Sequence, residues 1–418
     1  MKVTGIIAEY NPFHNGHLYQ IAEAKKQTDA DFLVIVMSGN FMQRGTPAIL
    51  SKWERTKMAL SHGADLIIEL PTVFATASAS LFALGGVSLL AKTGVVTDLC
   101  FGAETEGLSD FLSLATFLNQ EPDFFKNKLK SSLKTGVSFP SARSAALASI
   151  SEESSIPAFS DELLSSPNNI LGIEYCKALL QLSSPIRPHI IKRKEASYHD
   201  FRLQKGSHFA SASAIRTALL SEKGDSNNVF SFLPAACGEI IKKAQKKQEL
   251  LSEDCFSTLL HYKLLLEQEN GFSSYFDVSP DLSNRIRNTL SEFMGWSDFA
   301  LALKSKELTY TRINRALTHI LLNITNEKLA CAKALQAPYL RILGFSKKAS
   351  PLLSSLKHNS SIPTITKLAD AKKLLSETSY DILNTDIFAS DIYRSVKMSR
   401  SGKYEANDFK QSPILYED

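Results

Sequence analysis

Four short runs in the first 105 residues constrain the fold most: VTGIIAEY (3–10), DFLVIVMSG (31–39), ADLIIELP (64–71) and VVTDLCFGAE (95–104). Each is largely apolar along its length instead of alternating, the mark of a strand buried on both faces. Helical spacing fills the gaps. Leu18, Ile21 and Ala22 open one helix, and SKWERTKMALSHG (51–63) begins with the capping pair Ser51 and Glu54 and closes on Gly63. Strand and helix in alternation predict an α/β fold with a doubly wound parallel sheet. RPHIIKRK (187–194) reads as a further strand and SASAIRTALLS (211–221) as the start of another helix. Residues 106–165 read as helical and then as a Ser-rich insertion or loop. SEKGDSNNV (221–229) reads as a linker, and the chain beyond it is almost all helical in pattern. At 418 residues the chain is long for one domain. The expected division is an α/β domain at 1–220 and a mainly α-helical domain at 221–418.

Residues 70–91, LPTVFATASASLFALGGVSLLA, carry no charge and are long enough to span a bilayer. They are diluted by Thr72, Thr76, Ser78, Ser80, Ser88 and the Gly85–Gly86 pair, and they lie between two strands. A helix packed on the sheet is therefore expected, with no membrane partner. Residues 1–220 hold 21 Lys+Arg against 20 Asp+Glu, and the rest 26 against 23. Any nucleic-acid surface must then be a local patch. The cysteines, Cys100, Cys176, Cys237, Cys255 and Cys331, are odd in number and form no C-x-x-C. That argues against a disulfide framework or a zinc site and fits a reducing cytoplasm.

In an open parallel sheet, ligands bind beyond the carboxyl ends of the strands, where loops enter helices. NPFHNGH (11–17) holds such a place, after the first strand and before the first helix. A helix amino terminus offers free N–H groups and the positive end of its dipole to an anion. Pro12 stiffens the turn, and Gly16 is expected to let a phosphate approach the backbone. His14 and His17 can donate to phosphate oxygens as charge develops in nucleotidyl transfer. Two polar loop histidines without a role are the plain alternative; the strand–turn–helix setting favours phosphate. SASAIR (211–216) places Ser211, Ser213 and Arg216 at a second helix start, with hydroxyls for capping and a guanidinium for gripping oxygens.

These two motifs, in this order, resemble the HIGH-type nucleotidyltransferase superfamily. There, H-x-G-H after strand one and an S-x-T-x-I-R-like segment bind ATP phosphates. Ser213 stands where Thr is frequent, which keeps a hydroxyl, and Ala214 precedes Ile215. The fold so implied is a Rossmann-like doubly wound parallel sheet, the nucleotidyltransferase fold. IIAEYNPFHNGH, GNFMQRGTPAILSKWERTKMAL, GADLIIELP, FGAE, SPNNILGIEY, IKRKEASYHD and PYLRILGF together resemble one bacterial family over nearly the whole chain, the tRNA(Met) cytidine acetate ligases. Small-molecule adenylyltransferases of the superfamily usually carry Gly-x-Phe before the His and are far shorter. Here Glu9, Tyr10 and Asn11 fill that region.

The resemblance implies a ligase that uses ATP and acetate to make acetyl-adenylate and pyrophosphate. The wobble cytidine of elongator tRNA(Met) then takes the acetyl group on N4, and AMP leaves. DNA is not an expected partner. Carried over by position, Ile7, Ala8, Glu9, Tyr10, Asn11, Pro12, Phe13, His14, Asn15, Gly16, His17, Leu18, Tyr19 and Gln20 would wrap ATP. Gly102 would lie under the nucleotide, and Asn168 or Asn169 with Arg193 or Lys194 would complete the pocket, beside Ser211 and Ser213. His14, His17 and Arg216 would assist pyrophosphate departure. Magnesium is expected with ATP, though no carboxylate pair identifies its ligands. A helix cap is the other reading of Asn168–Asn169, and a solvated strand end that of Arg193. In LTYTRINRALTHILL, Arg312, Arg315 and His319 are expected to share a basic helix face, with KKAQKK (242–247) and Lys347–Lys348 as further patches. The other functional readings are a small-molecule adenylyltransferase and a non-catalytic tRNA- or nucleotide-binding protein.

Overall fold

The computed structural model of the chain describes residues 1–137, 139–148, 159–194, 208–221 and 226–417. Much of the Ser-rich stretch, the end of IKRKEASYHD and the middle of the expected 221–229 linker lie outside them.

The four apolar runs form β1 (Val3–Ala8), β2 (Phe32–Ser38), β3 (Leu66–Leu70) and β4 (Asp98–Ala103), and 187–194 supplies β5 (Arg187–Lys192). They stand in the order β5-β4-β1-β2-β3, each parallel to its neighbours. The chain winds outward from β1 to β3, then returns to lay β4 on the other side of β1. That reversal between β1 and β4 opens a crevice at their carboxyl ends. Burial on both faces explains the unbroken apolar runs. In β2, Leu33, Ile35 and Met37 face one core with Ile21, Met58, Ile215 and Ile241, while Val34 and Val36 face the other with Phe82, Val87 and Ile173.

The uncharged stretch becomes two helices, Thr72–Ala75 and Ala79–Lys92, on the second face. Its glycines are packing devices: a Cβ on Gly85 or Gly86 would fall 2.5 Å from Phe74 or 2.8 Å from Ile7. Among the described residues no helix is long and apolar enough to cross a membrane.

The carboxyl half is mainly helical, yet it adds β6 (Leu340–Ser346), β7 (Thr364–Ile365) and β8 (Ile414–Tyr416) to the same sheet. β6 runs antiparallel to β3, and β7 and β8 run parallel to β6. The sheet therefore crosses the boundary expected at residue 220. A closed charge cluster fastens this joint. Lys52, with no exposed surface, reaches Glu69 at 2.9 Å, Asp408 at 2.7 Å and Ser390 at 2.8 Å. Arg341 on β6 meets Glu69 at 3.0 Å and Asp408 at 2.7 Å. Burial pushes the Asp408 carboxyl up, but Lys52 and Arg341 outweigh it and hold it below the usual range.

Candidate active site

The turn after β1 builds itself from its own histidines. His14 is the N-cap of the helix Asn15–Thr28, and its Nδ1 accepts the Gly16 N–H at 3.1 Å. His17 answers, its Nδ1 accepting the His14 N–H at 3.3 Å. The pair forms a capping box with imidazoles in place of Ser and Glu. The two rings stack with centroids 3.8 Å apart. With both Nδ1 atoms occupied as acceptors, each neutral ring carries its proton on Nε2. Burial, then Arg193 and Arg216, push His14 down to about 3. Burial, His14 and Arg193 lower His17 as well. The turn thus presents neutral Nε2–H donors. The Gly16 N–H is spent on His14, and a Cβ there would lie 2.8 Å from His14 Cε1, so the glycine makes room for the ring.

A cavity of about 550 Å³ opens in front of this turn. Its wall takes Ile7, Ala8 and Glu9 from the end of β1, Gly102 from β4, Arg193 and Lys194 from beyond β5, and Ser211, Ser213 and Arg216 from the helix Ala212–Leu220. Ser211 caps that helix, its hydroxyl accepting the Ala214 N–H at 3.1 Å. Arg216 donates to the Asn11 carbonyl at 2.7 Å and the Ser213 hydroxyl at 3.2 Å, tying the two motifs together. Arg193 Nε is a buried donor with no hydrogen-bond partner among the described residues; Glu104 stands 3.9 Å away. Such an orphan donor fits a site shaped for an anion.

Asn11, His14, Gly16, His17, Tyr19, Gln20 and Asn168 also line the cavity. Tyr10, Pro12, Phe13, Asn15, Leu18 and Asn169 stand outside its wall. Tyr10 and Phe13 are buried and pack against the His17 ring, Tyr10 edge-on and Phe13 tilted. Asn15 bonds the His208 and Ser231 carbonyls, each at 3.1 Å, and Leu18 is exposed. The Asn168–Asn169 alternatives separate cleanly. Asn169 is fully buried and accepts the Glu104 N–H at 2.8 Å and the Thr105 N–H at 3.2 Å, so it shapes the loop after β4. Asn168 stays on the wall and donates to Glu104 at 2.5 Å. Lys194 lies over the Tyr19 ring at 4.4 Å.

Sequence reasoning assigned no role to Gln43, Arg44, Thr46, Phe82 or Tyr175, which also line the cavity. The signal was available, since Gln43 and Arg44 come after the carboxyl end of β2, where an open sheet binds its ligands. Burial lowers the Arg44 pKa and Glu9 opposes this. Arg55 fixes the backbone beneath, donating to the carbonyls of Glu9 at 2.6 Å, Ser38 at 3.0 Å and Leu50 at 3.1 Å, and to that of Gly39.

The helix Tyr310–Leu321 clamps this loop. Gly45, at φ +71°, sits on the helix backbone so closely that a Cβ would overlap the Arg315 nitrogen, and Thr318 donates its hydroxyl to the Gly45 carbonyl at 2.8 Å. The helix consequently lacks the basic face expected of it. His319 has no exposed surface; it stacks on Phe276 and faces Thr76. Arg315 pairs with Asp277 at 2.8 Å. Lys347 and Lys348 pair with Glu417 and Asp65. Lys242, Lys243, Lys246 and Lys247 stay exposed on or beside the helix Ala235–Lys246.

Residues 1–408 match the model of the HIGH Nucleotidyl Transferase family. The chain is 40% identical over 414 residues to the tRNA(Met) cytidine acetate ligase of Clostridium novyi (strain NT), covering 99% of each chain. The enzyme of the same name from Thermoanaerobacter sp. (strain X514) is 40% identical over 395 residues, covering 94% of this chain and 95% of that one. Among solved structures, Thermotoga maritima TmcAL bound with alpha-thio ATP superposes with a TM-score of 0.91 at 32% identity, covering 100% of both chains.

Proposed function

This chain belongs to the tRNA(Met) cytidine acetate ligase family, and from that premise we propose that it activates acetate with ATP and acetylates N4 of the wobble cytidine of elongator tRNA(Met). The observation that carries this reading is the imbalance of charge around the cavity. Arg44, Arg193, Arg216, Lys192, Lys194 and the two imidazole donors face it, against the single carboxylate of Glu9 among the described residues.

A carboxylate is a poor acyl donor until one of its oxygens becomes part of a leaving group. An acetate oxygen attacks the α-phosphorus of ATP, the bond to the bridging oxygen breaks, and pyrophosphate departs with the electron pair. His14 and His17 donate Nε2–H to the phosphate oxygens, and Arg193 and Arg216 neutralise the charge that builds there. Donors already held in place need no reorganisation at that moment. The wobble amine then attacks the acetyl carbon and AMP leaves. No side-chain nucleophile is required. Magnesium would accompany the polyphosphate. The wall offers one carboxylate, and among the described residues no group of three or more His, Cys, Asp or Glu side chains is placed to hold a metal ion, so phosphate and water oxygens would supply most of its ligands. Residues 221–418 form the tRNA-facing part of this reading, with Lys242, Lys243, Lys246, Lys247 and Arg312 as its candidate phosphate contacts.

The test is incubation with ATP, labelled acetate and elongator tRNA(Met), read by nucleoside mass spectrometry and by acetate-dependent exchange of labelled pyrophosphate into ATP. N4-acetylcytidine at the wobble position with one AMP per acetyl group supports the reading. Transfer to a nucleotide-like small molecule with unmodified tRNA overturns it.

A further inference from the structure

Acyl transfer to an amine releases a proton. The cytidine N4 lone pair forms the C–N bond and the acetyl C–O bond to phosphate breaks. AMP leaves with that electron pair, and one N4 hydrogen must go to a base. The ring withdraws electrons from this amine, so a base in place as the bond forms speeds the step.

We propose that Glu9 accepts this proton. The inference rests on the acetyl-transfer reading above and comes from what the cavity wall can and cannot do. His14 and His17 are donors only, because each Nδ1 is occupied by a backbone N–H of the capping box. Burial pushes the Tyr175 phenol up, so it stays protonated. Lys192 pairs with Glu106 at 3.4 Å and Lys194 lies over Tyr19; as ammonium groups neither accepts a proton. Among the lining residues one carboxylate remains, Glu9.

Its placement suits the task. Glu9 is the first residue beyond the carboxyl end of β1, at the crevice between β1 and β4. Its Oε1 is fixed by the Gln43 N–H at 2.7 Å and its carbonyl by Arg55 at 2.6 Å. The charges and titratable groups facing it are Arg44 from the loop after β2, Arg55 from the helix Lys52–Leu60, Arg216 from the helix Ala212–Leu220 and Tyr175 from the helix Pro167–Gln181. Three guanidinium groups therefore stand near this carboxylate. A carboxylate in a cavity otherwise lined by cations has no evident use in phosphate binding. The second step provides one.

The two half-reactions separate the roles. Acetate-dependent pyrophosphate exchange needs no amine base. Single-turnover transfer from enzyme-formed acetyl-adenylate to tRNA does. In Glu9→Gln, transfer should slow about 100-fold more than exchange does, the scale of general-base catalysis. Hydroxylamine, a strong nucleophile, should still discharge the intermediate at close to the wild-type rate. Glu9→Asp should recover part of the transfer rate, and the carboxylate limb of the transfer pH profile should vanish in Glu9→Gln. Unchanged transfer in Glu9→Gln overturns the proposal. So does an equal loss of exchange and transfer that excess magnesium restores, which would make Glu9 a partner of the ATP-bound metal. A wild-type protein that exchanges pyrophosphate but never acetylates tRNA removes the acetyl-transfer reading instead.

Discussion

Two groups of buried cations sit near the carboxyl ends of these strands, on opposite terms. Lys52 and Arg341 meet Glu69 and Asp408 at 2.7–3.0 Å, a closed set in which two positive charges match two negative ones. Arg193 and Arg216 face a cavity beside two neutral histidines, and Arg193 Nε has no hydrogen-bond partner among the described residues. The closed cluster joins β6 and the carboxyl end of the chain to β3. The open one keeps an excess of positive charge on the cavity wall. A buried cation is therefore no sign of a ligand in itself; an excess of cations over carboxylates around a cavity is.

This contrast can be broken in several ways. Asp408→Ala leaves Lys52 and Arg341 without their shared partner, and removing one member of a buried pair costs about 3–5 kcal/mol. A denaturant midpoint unchanged within error would show that the closed cluster holds nothing together. Gly45→Ala drives a Cβ into the Arg315 backbone at a positive φ. It should cost about 2–3 kcal/mol and lower pyrophosphate exchange too, because Arg44 shares the loop. A variant with full exchange would unlink the clamp from the site.

The third prediction concerns pH. His14 titrates near 3 in the fold against about 6.5 in the unfolded chain. Its contribution is complete above about 6.5 and declines as pH falls toward 3, because the unfolded chain binds the proton first. His17 acts in the same direction. Between pH 7 and pH 4 the wild type should lose about 3 kcal/mol or more beyond what a His14→Asn/His17→Asn double variant loses. Equal losses in urea titrations would mean the rings are not held neutral. The smallest effect is Thr318→Val, which removes the hydrogen bond to Gly45 at a cost of about 1 kcal/mol. A midpoint shift near zero would show that packing alone seats the loop.

How far the sequence reached depends on what burial writes into it. β1 to β4 were legible because strands covered on both faces must be apolar throughout. His14, His17, Ser211 and Arg216 were legible as residues of two helix starts, and the structure brings those starts to one cavity. β7 and β8 escaped because they are two and three residues long; β6 is as long as β2 and buried, and it escaped because it lies among helical patterns. Lys52, Arg341 and His319 escaped because charge in a sequence says nothing of a buried partner. His319 fell on the expected basic face only because helical spacing gives direction and not what packs there; Phe276 and Thr76 do. Arg44 lay in a quoted motif, but its role depends on a loop that the distant helix Tyr310–Leu321 seats.

The most direct measurement is acetate-dependent pyrophosphate exchange by His17→Ala, with its denaturant midpoint taken on the same preparation. The account predicts exchange lowered about 10²–10³-fold, as for loss of one transition-state donor. The midpoint should stay within about 1 kcal/mol of wild type, the worth of a cap contact. Exchange at the wild-type rate in a folded His17→Ala protein would contradict the account, since the open cluster would then not be where acetate is activated.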